Sequence, residues 1–160
     1  MPISPGQRLP EARFQVIDDG VRHLDTAAVF AGRKVLLFAV PGAFTPTCSN
    51  RHLPGYVEHI DAFRQRGIQP VCMAVNDPFV MDAWGRAQNV PEGLLMLADG
   101  NAAFTRALGL EMDASAYGMG VRCKRFALYA DDGVVRALWI EAPGEFRVSA
   151  AEHVLEHLPD

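Results

Sequence analysis

The chain has 160 residues, of which 49% are hydrophobic and 21% charged, which is an ordinary globular composition. Its formal net charge is -4 and no long block of lysine or arginine occurs, so nucleic-acid binding is not expected. The longest apolar run, Val35 to Pro41, is too short to cross a bilayer, and the N-terminal residues lack the pattern of a secretory signal. We expect one compact domain, residues 1–160, that does not bind a membrane.

The N-terminal part of the sequence has the pattern of a β-hairpin followed by alternating strands and helices. Residues 13–17 alternate around an apolar stripe, Asp18-Asp19-Gly20 is a turn sequence, and a second strand follows. The next predicted elements are a strand at 35–40, a helix carrying Tyr56, Ile60 and Phe63 and ending at Gly67, a strand at 70–75, a helix at 79–88, a strand at 94–98, and a helix at 101–108 closed by Gly109.

The last third of the sequence has a different order of elements. Strands at 126–130 and 134–140 flank the turn Asp131-Asp132-Gly133. A final helix is predicted at 149–158, with Ser149 as its N-cap and Glu152 as the capping-box partner. The order β-α-β and then β-β-α predicts an α/β protein with a thioredoxin-like fold, in which helices flank a central mixed sheet that also carries the N-terminal β-hairpin.

Cys48 is the candidate reactive residue because of its place between these elements. A strand ends at Val40, a proline-bounded loop follows, and a helix begins near Thr47, so Cys48 falls in the first helical turn. Backbone N–H groups without partners and the positive end of the helix dipole favour a thiolate there. Thr45 can hydrogen-bond the sulfur or a reacting oxygen, and Pro41 restricts the loop that covers the sulfur. The thiolate is the form of cysteine that peroxides oxidise.

The segment from Pro41 to Cys48, P-G-A-F-T-P-T-C, resembles the P-x-x-x-T-x-x-C signature of peroxiredoxins. Residues 49–55 and 75–81 are similar to the type II, peroxiredoxin-five-like subfamily, and the likeness runs from about Gly6 to the C-terminus. The resemblance implies a thiol-dependent peroxidase that reduces hydrogen peroxide and organic hydroperoxides. Cys48 would be the peroxidatic cysteine, Thr45 its hydroxyl partner and Pro41 the shield of the pocket. Such a cycle needs no metal and no other cofactor.

The family also uses an arginine from a distant strand to hold the thiolate and the peroxide. Residues 118–126 are similar to the family's G-x-R-S-x-R-[FY] region, with Arg122 in the place of the catalytic arginine and Cys123 in that of a serine. The fixed charge and forked donors of arginine suit both tasks. We expect Arg125 to make a structural ion pair. His52, one helical turn after Cys48, is expected to be a structural hydrogen-bonding residue rather than a base.

The thiol that regenerates Cys48 is not decided by the residues. A cysteine at the position of Cys72 has been given a resolving role in plant members of the subfamily, but a buried small hydrophobe is the favoured interpretation. No cysteine follows Cys123. We therefore expect an external thiol to act as reductant, with glutathione or glutaredoxin ahead of thioredoxin. The alternative function is a non-enzymatic redox sensor or interaction module that reports oxidation of Cys48 to a partner.

The three cysteines do not form the pattern of a disulfide-stapled secreted protein, because their number is odd and no C-x-x-C pair occurs. Reduced thiols favour the cytoplasm. The resemblance also implies a homodimer. The aromatic residues that are expected chiefly in the core, some of which would supply an apolar dimer surface, are Phe44, Phe79, Trp84 and Phe126.

Overall fold

The computed structural model describes residues 2–159. Its strands and helices in chain order are β1 (Arg13–Ile17), β2 (Val21–Asp25), α1 (Thr26–Phe30), β3 (Lys34–Ala39), α2 (Leu53–Glu58), α3 (Ile60–Gln65), β4 (Ile68–Ala74), α4 (Pro78–Ala87), β5 (Leu95–Ala98), α5 (Ala103–Leu108), β6 (Glu111–Asp113), β7 (Val121–Cys123), β8 (Phe126–Asp131), β9 (Val134–Ile140) and α6 (Ala151–His157). A π-helical turn, Cys48–His52, leads into α2, and a 3-10 turn, Ser115–Tyr117, separates β6 from β7.

A mixed sheet of seven strands, in the order β2-β1-β5-β4-β3-β8-β9, forms the centre of the molecule. Strands β3, β4 and β5 run parallel, whereas β8 and β9 add in antiparallel fashion at one side and the β1–β2 hairpin at the other. Two short strands, β6 and β7, pair outside this sheet. The arrangement confirms the predicted α/β, thioredoxin-like fold with its N-terminal hairpin.

Each face of the sheet carries its own apolar core, because side chains along a strand point alternately to opposite faces. In β3, Leu36 and Phe38 belong to the core covered by α2, α3, α4 and α6, whereas Leu37 and Ala39 belong to the core covered by α1 and α5. This two-sided burial explains why β3 and β4 appear in the sequence as nearly continuous apolar runs. No helix within residues 2–159 is long and apolar enough to span a bilayer.

The predicted capping box at the start of the last helix is wrong. Helix α6 begins at Ala151 after the N-cap residue Ala150, and no side chain caps it. The Ser149 hydroxyl instead donates to Glu141 Oε2 at 2.7 Å, and Glu152 pairs with His59 at 3.1 Å. A buried carboxylate thus takes the hydroxyl that the local sequence assigns to the helix.

Candidate active site

The loop that carries Cys48 leaves the carboxyl end of β3, in the middle of the sheet. It is held to the neighbouring chain by two hydrogen bonds: Val40 N–H donates to Met73 O at 3.0 Å, and Ala43 N–H donates to Asn76 Oδ1 at 3.0 Å. These bonds fix both the start and the middle of the loop against the end of β4. Cys48 is therefore presented from a rigid scaffold rather than from a free loop.

Cys48 begins the π-helical turn, in which the Leu53 N–H bonds to the Cys48 carbonyl five residues earlier. The backbone is already helical at Pro46, as expected for a helix that begins just before the cysteine. The Cys48 side chain has no exposed surface. The adjacent Ser49 hydroxyl accepts a hydrogen bond from Trp84 Nε1 at 2.9 Å, which ties the turn to α4. π-turns are rare and occur often at functional sites.

The guanidinium of Arg125 contacts the sulfur. Its Nη2 donates to Cys48 Sγ at 3.3 Å, and its Nη1 donates to His52 Nδ1 at 2.9 Å. The position follows from strand register, since Phe126 pairs with Ala39 at the end of β3 and the preceding residue therefore lies beside the loop. The expected structural ion pair of Arg125 is wrong: within residues 2–159 this side chain pairs with no carboxylate.

Arg122 lies at the same loop but not on the sulfur. Its Nε donates to Met119 O at 2.8 Å and its Nη1 to Pro41 O at 3.5 Å, and among residues 2–159 no hydrogen bond joins it to Cys48. Arg122 is on β7, which pairs with β6 outside the main sheet. The arginine on the sulfur is thus three residues later than the one selected from the motif, and Arg122 instead holds the carbonyl of Pro41.

The Thr45 hydroxyl is oriented by the loop itself. Its Oγ1 donates to Gly42 O at 2.5 Å, so the hydroxyl hydrogen is used within the loop and the oxygen lone pairs can accept. Gly42 is enclosed: a Cβ built on it would lie 2.9 Å from Met119 Cε, 3.2 Å from Thr45 Cγ2 and 3.3 Å from Arg122 Nη1. Pro41 is half-buried at the start of this loop.

His52 is buried and bonded at both ring nitrogens. Its Nε2 lies 3.2 Å from Ser149 O, which can only accept, so Nε2 carries the hydrogen and Nδ1 accepts from Arg125. Burial and, second, the charge of Arg125 lower the pKa of His52 from 6.5 to about 3. The prediction of a hydrogen-bonding histidine is confirmed. Its contact with Arg125 was missed, because the sequence pairs it only with its own helix.

The other two cysteines are buried in the two cores on opposite faces of the main sheet. Cys72, in β4, shares a core with Cys48, whereas Cys123, in β7, belongs to the opposite core. Burial raises the pKa of Cys72 well above its usual range and that of Cys123 to about 12. The Cys123 thiol donates to Val40 O at 3.1 Å. Both are buried thiols, as predicted for Cys72. Within residues 2–159, no three His, Cys, Asp or Glu side chains are grouped to hold a metal ion.

Comparison with known proteins identifies the family. A family model described as Redoxin matches residues 4–155. Peroxiredoxin-2E-2 of Oryza sativa subsp. japonica, a chloroplastic protein, is 47% identical over 98% of this chain and 72% of its own length. Peroxiredoxin-2B of Arabidopsis thaliana is 44% identical over 98% of this chain and 99% of its own. The chain belongs to the redoxin family, as a type II peroxiredoxin.

A solved structure of similar sequence supports the same identification. Reduced Prx3 from Vibrio vulnificus in complex with H₂O₂ superimposes with a TM-score of 0.92 at 51% identity, covering 96% of this chain and 98% of that one. The present chain is therefore a thiol-dependent peroxidase. The predicted enzyme is thereby confirmed, and the relatives give no support to the alternative of a non-enzymatic sensor.

Proposed function

We propose that Cys48 is the peroxidatic cysteine and that Arg125 is the arginine that activates it. The proposal is carried by one observation: the Arg125 Nη2 lies 3.3 Å from Cys48 Sγ, with the sulfur fully buried. A fixed positive charge at this distance favours the thiolate, and its interaction with the anion is strong because water is excluded. The guanidinium retains further N–H donors for a peroxide oxygen.

The reaction is a displacement at oxygen. The Cys48 thiolate attacks the distal oxygen of R–O–O–H, forming an S–O bond while the O–O bond breaks. The products are the sulfenic acid and an alkoxide or hydroxide, which takes a proton to leave as alcohol or water. An external thiol then condenses with the sulfenic acid, releasing water and forming a mixed disulfide. A second thiol reduces this disulfide and restores Cys48.

Thr45, Pro41 and Arg122 complete the proposed site. Because the Thr45 hydroxyl donates to Gly42 O, it would accept the hydrogen bond of the peroxide O–H and orient the molecule for attack. Pro41 would shield the sulfur and fix the loop. Arg122 would support that loop through the Pro41 carbonyl, which makes it a positioning residue rather than the arginine that polarises the O–O bond.

The test compares the two arginines of one short segment. The bimolecular rate constant of sulfenic acid formation with hydrogen peroxide is measured for wild type, Cys48→Ser, Arg125→Ala and the matched control Arg122→Ala. Loss of the Arg125 donor should lower the rate about 10²- to 10³-fold, as loss of one preorganised donor does elsewhere. Arg122→Ala should have a smaller effect. Cys48→Ser should have no activity. An Arg125→Ala rate equal to wild type would remove Arg125 from the mechanism.

We further propose one-cysteine catalysis with glutathione or glutaredoxin as reductant and thioredoxin as second choice. The support is the burial of Cys72 within a central strand and of Cys123 against the opposite core. A Cys48–Cys72 bond would have to form inside a packed core, where neither side chain has exposed surface. Intact mass after one equivalent of peroxide distinguishes one-cysteine catalysis from a Cys48–Cys72 disulfide. Gain of an oxygen supports the proposal, and loss of two hydrogens in the monomer contradicts it.

A homodimer is proposed on the face that carries the reactive loop. Phe44 is 56% exposed in this loop and Phe79 is 66% exposed just after Asn76, whose side chain holds the loop. Trp84 and Phe126, by contrast, are buried. Sedimentation of Phe79→Asp tests the proposal, with Val21→Asp in the β1–β2 hairpin as a matched control. A Phe79→Asp protein with the mass of wild type would contradict it.

We also propose a single domain and a cytoplasmic location. The main sheet includes both the first strand, β1, and the last strand, β9, which supports the proposal of a single domain. The three cysteines form no disulfide, which agrees with a reducing compartment. Cell fractionation with immunodetection tests the location, and recovery with an organelle would contradict it.

A further inference from the structure

We propose that the C-terminal strap, residues 141–149, positions the Arg125 guanidinium on the Cys48 sulfur through His52, with Glu141 as its anchor. The strap joins the end of β9 to α6, and its first residue is bonded to the residue before β8, with Glu141 N–H donating to Arg125 O at 3.0 Å. The proposal rests on the proposed function, in which Arg125 activates Cys48. The function assigned to the strap is to hold one particular orientation of the Arg125 side chain.

The strap begins with a buried carboxylate that folds the chain around itself. Glu141 Oε2 accepts three hydrogen bonds: from Arg147 N–H at 2.7 Å, from Ser149 N–H at 2.9 Å and from the Ser149 hydroxyl at 2.7 Å. Its Oε1 is buried and has no partner among residues 2–159. Burial raises the pKa of Glu141, but these hydrogen bonds outweigh it and leave the pKa below its usual range. The anchor is therefore an anion held by the strap it closes.

Ser149 passes this constraint to the interior. The residue that gives both its N–H and its hydroxyl to Glu141 directs its carbonyl at His52 Nε2, 3.2 Å away, and at the Tyr56 hydroxyl, 2.7 Å away. An acceptor at Nε2 fixes the tautomer of the imidazole, with the hydrogen on Nε2 and the lone pair on Nδ1. That lone pair accepts from Arg125 Nη1 at 2.9 Å. If the Ser149 carbonyl moves, the hydrogen of the imidazole is no longer fixed on Nε2, and Nδ1 is no longer held as an acceptor for Arg125.

Phe146, in the middle of the strap, covers the same pair from outside. Its ring centroid lies 5.1 Å from that of His52 and 5.9 Å from the Arg125 guanidinium carbon. Arg51 packs over the ring at 4.8 Å. A ring at these distances attracts a guanidinium. The strap thus acts on Arg125 twice, through the histidine and through a direct aromatic contact.

A double-mutant cycle tests the proposal with the rate constant for hydrogen peroxide as readout. Glu141→Ala should lower this rate about 10- to 100-fold, the loss expected when a reacting group is displaced by about an ångström. In the Arg125→Ala background the same substitution should change the rate less than about twofold, because the group it positions is gone. Glu141→Gln keeps an oxygen acceptor for the strap and should restore most of the rate.

A purely structural effect would give a different pattern. Glu145 is an exposed glutamate of the same segment whose side chain bonds nothing within residues 2–159, so Glu145→Ala is the matched control and should keep the wild-type rate. If Glu141→Ala does not fold, Phe146→Leu carries the same cycle. A wild-type rate in the anchor variant, an equal loss with and without Arg125, or a Gln variant as slow as Ala would overturn the proposal. An unaltered rate in Arg125→Ala alone would instead refute the proposed function.

Discussion

The buried, neutral imidazole of His52 should make the stability of this protein depend on pH in a specific window. The pKa of His52 is lowered from 6.5 to about 3, first by burial and then by the charge of Arg125. The unfolded chain therefore takes up a proton at this residue as the pH falls below 6.5, whereas His52 in the folded chain stays neutral down to about pH 3. The contribution of His52 to the free energy of unfolding therefore falls as the pH falls from about 6.5 towards about 3, and it changes no further below that.

The magnitude follows from the same two values. Each pH unit within the window removes about 1.4 kcal/mol from the free energy of unfolding. Between about pH 7 and about pH 5 the loss from this residue is then about 2 kcal/mol. For a chain of this length that corresponds to a shift in Tm of about 4 to 8 °C. The side chain is fully buried, so solvent screening does not reduce the effect.

The assay is urea unfolding of the reduced protein at both pH values, for wild type and for His52→Asn. The asparagine keeps an oxygen acceptor towards Arg125 but cannot titrate, and every other titrating group is common to the two proteins. Wild type should lose about 2 kcal/mol more than the variant between the two pH values. Equal losses, within about 0.5 kcal/mol, would mean that the folded protein protonates His52 and would refute the prediction.

Two further substitutions test the packing around the site. Cys72→Ser buries a hydroxyl between Phe38 and Met96 in the central strands, so the free energy of unfolding should fall by about 1–3 kcal/mol while peroxide reduction stays within about twofold of wild type; a collapse of activity in a folded protein would mean that this thiol takes part in the cycle. Tyr56→Phe removes the 2.7 Å hydrogen bond to Ser149 O and should cost about 1 kcal/mol in urea unfolding, and an unchanged midpoint would show that water replaces the hydroxyl.

The parts of the fold that could be predicted are those whose cause is local in the sequence. Strands β3 and β4 are covered on both faces, so their apolar runs are unmistakable, and the hairpin turns carry their own Asp and Gly residues. Strands β6 and β7 have only three residues each and no such pattern. The helix expected over Tyr56 to Phe63 is divided at His59, where the backbone leaves the helical region.

The candidate site was predictable only as far as its local segment extends. Cys48 and Thr45 follow from the loop and helix start that their own neighbours define. Choosing between Arg122 and Arg125 depends on the pairing of Phe126 with Ala39, a contact between distant parts of the chain. The local pattern likewise predicts Ser149 as a helix cap, because the partner of its hydroxyl, Glu141, lies outside that pattern.

The π-turn has a consequence for how this sequence tolerates change. Cys48 and His52, four residues apart, both bond Arg125, and the turn that separates them contains one residue more per bonded ring than an α-helix, with Leu53 N–H bonded to Cys48 O. Asn50 and Arg51, between them, are exposed. Arg51 nevertheless packs over the Phe146 ring at 4.8 Å, so of these two residues Asn50 is the one whose identity the site does not constrain. A single deletion there would change the four-residue spacing at which Cys48 and His52 reach one guanidinium, so the length of this turn constrains the site more than the identity of Asn50 does.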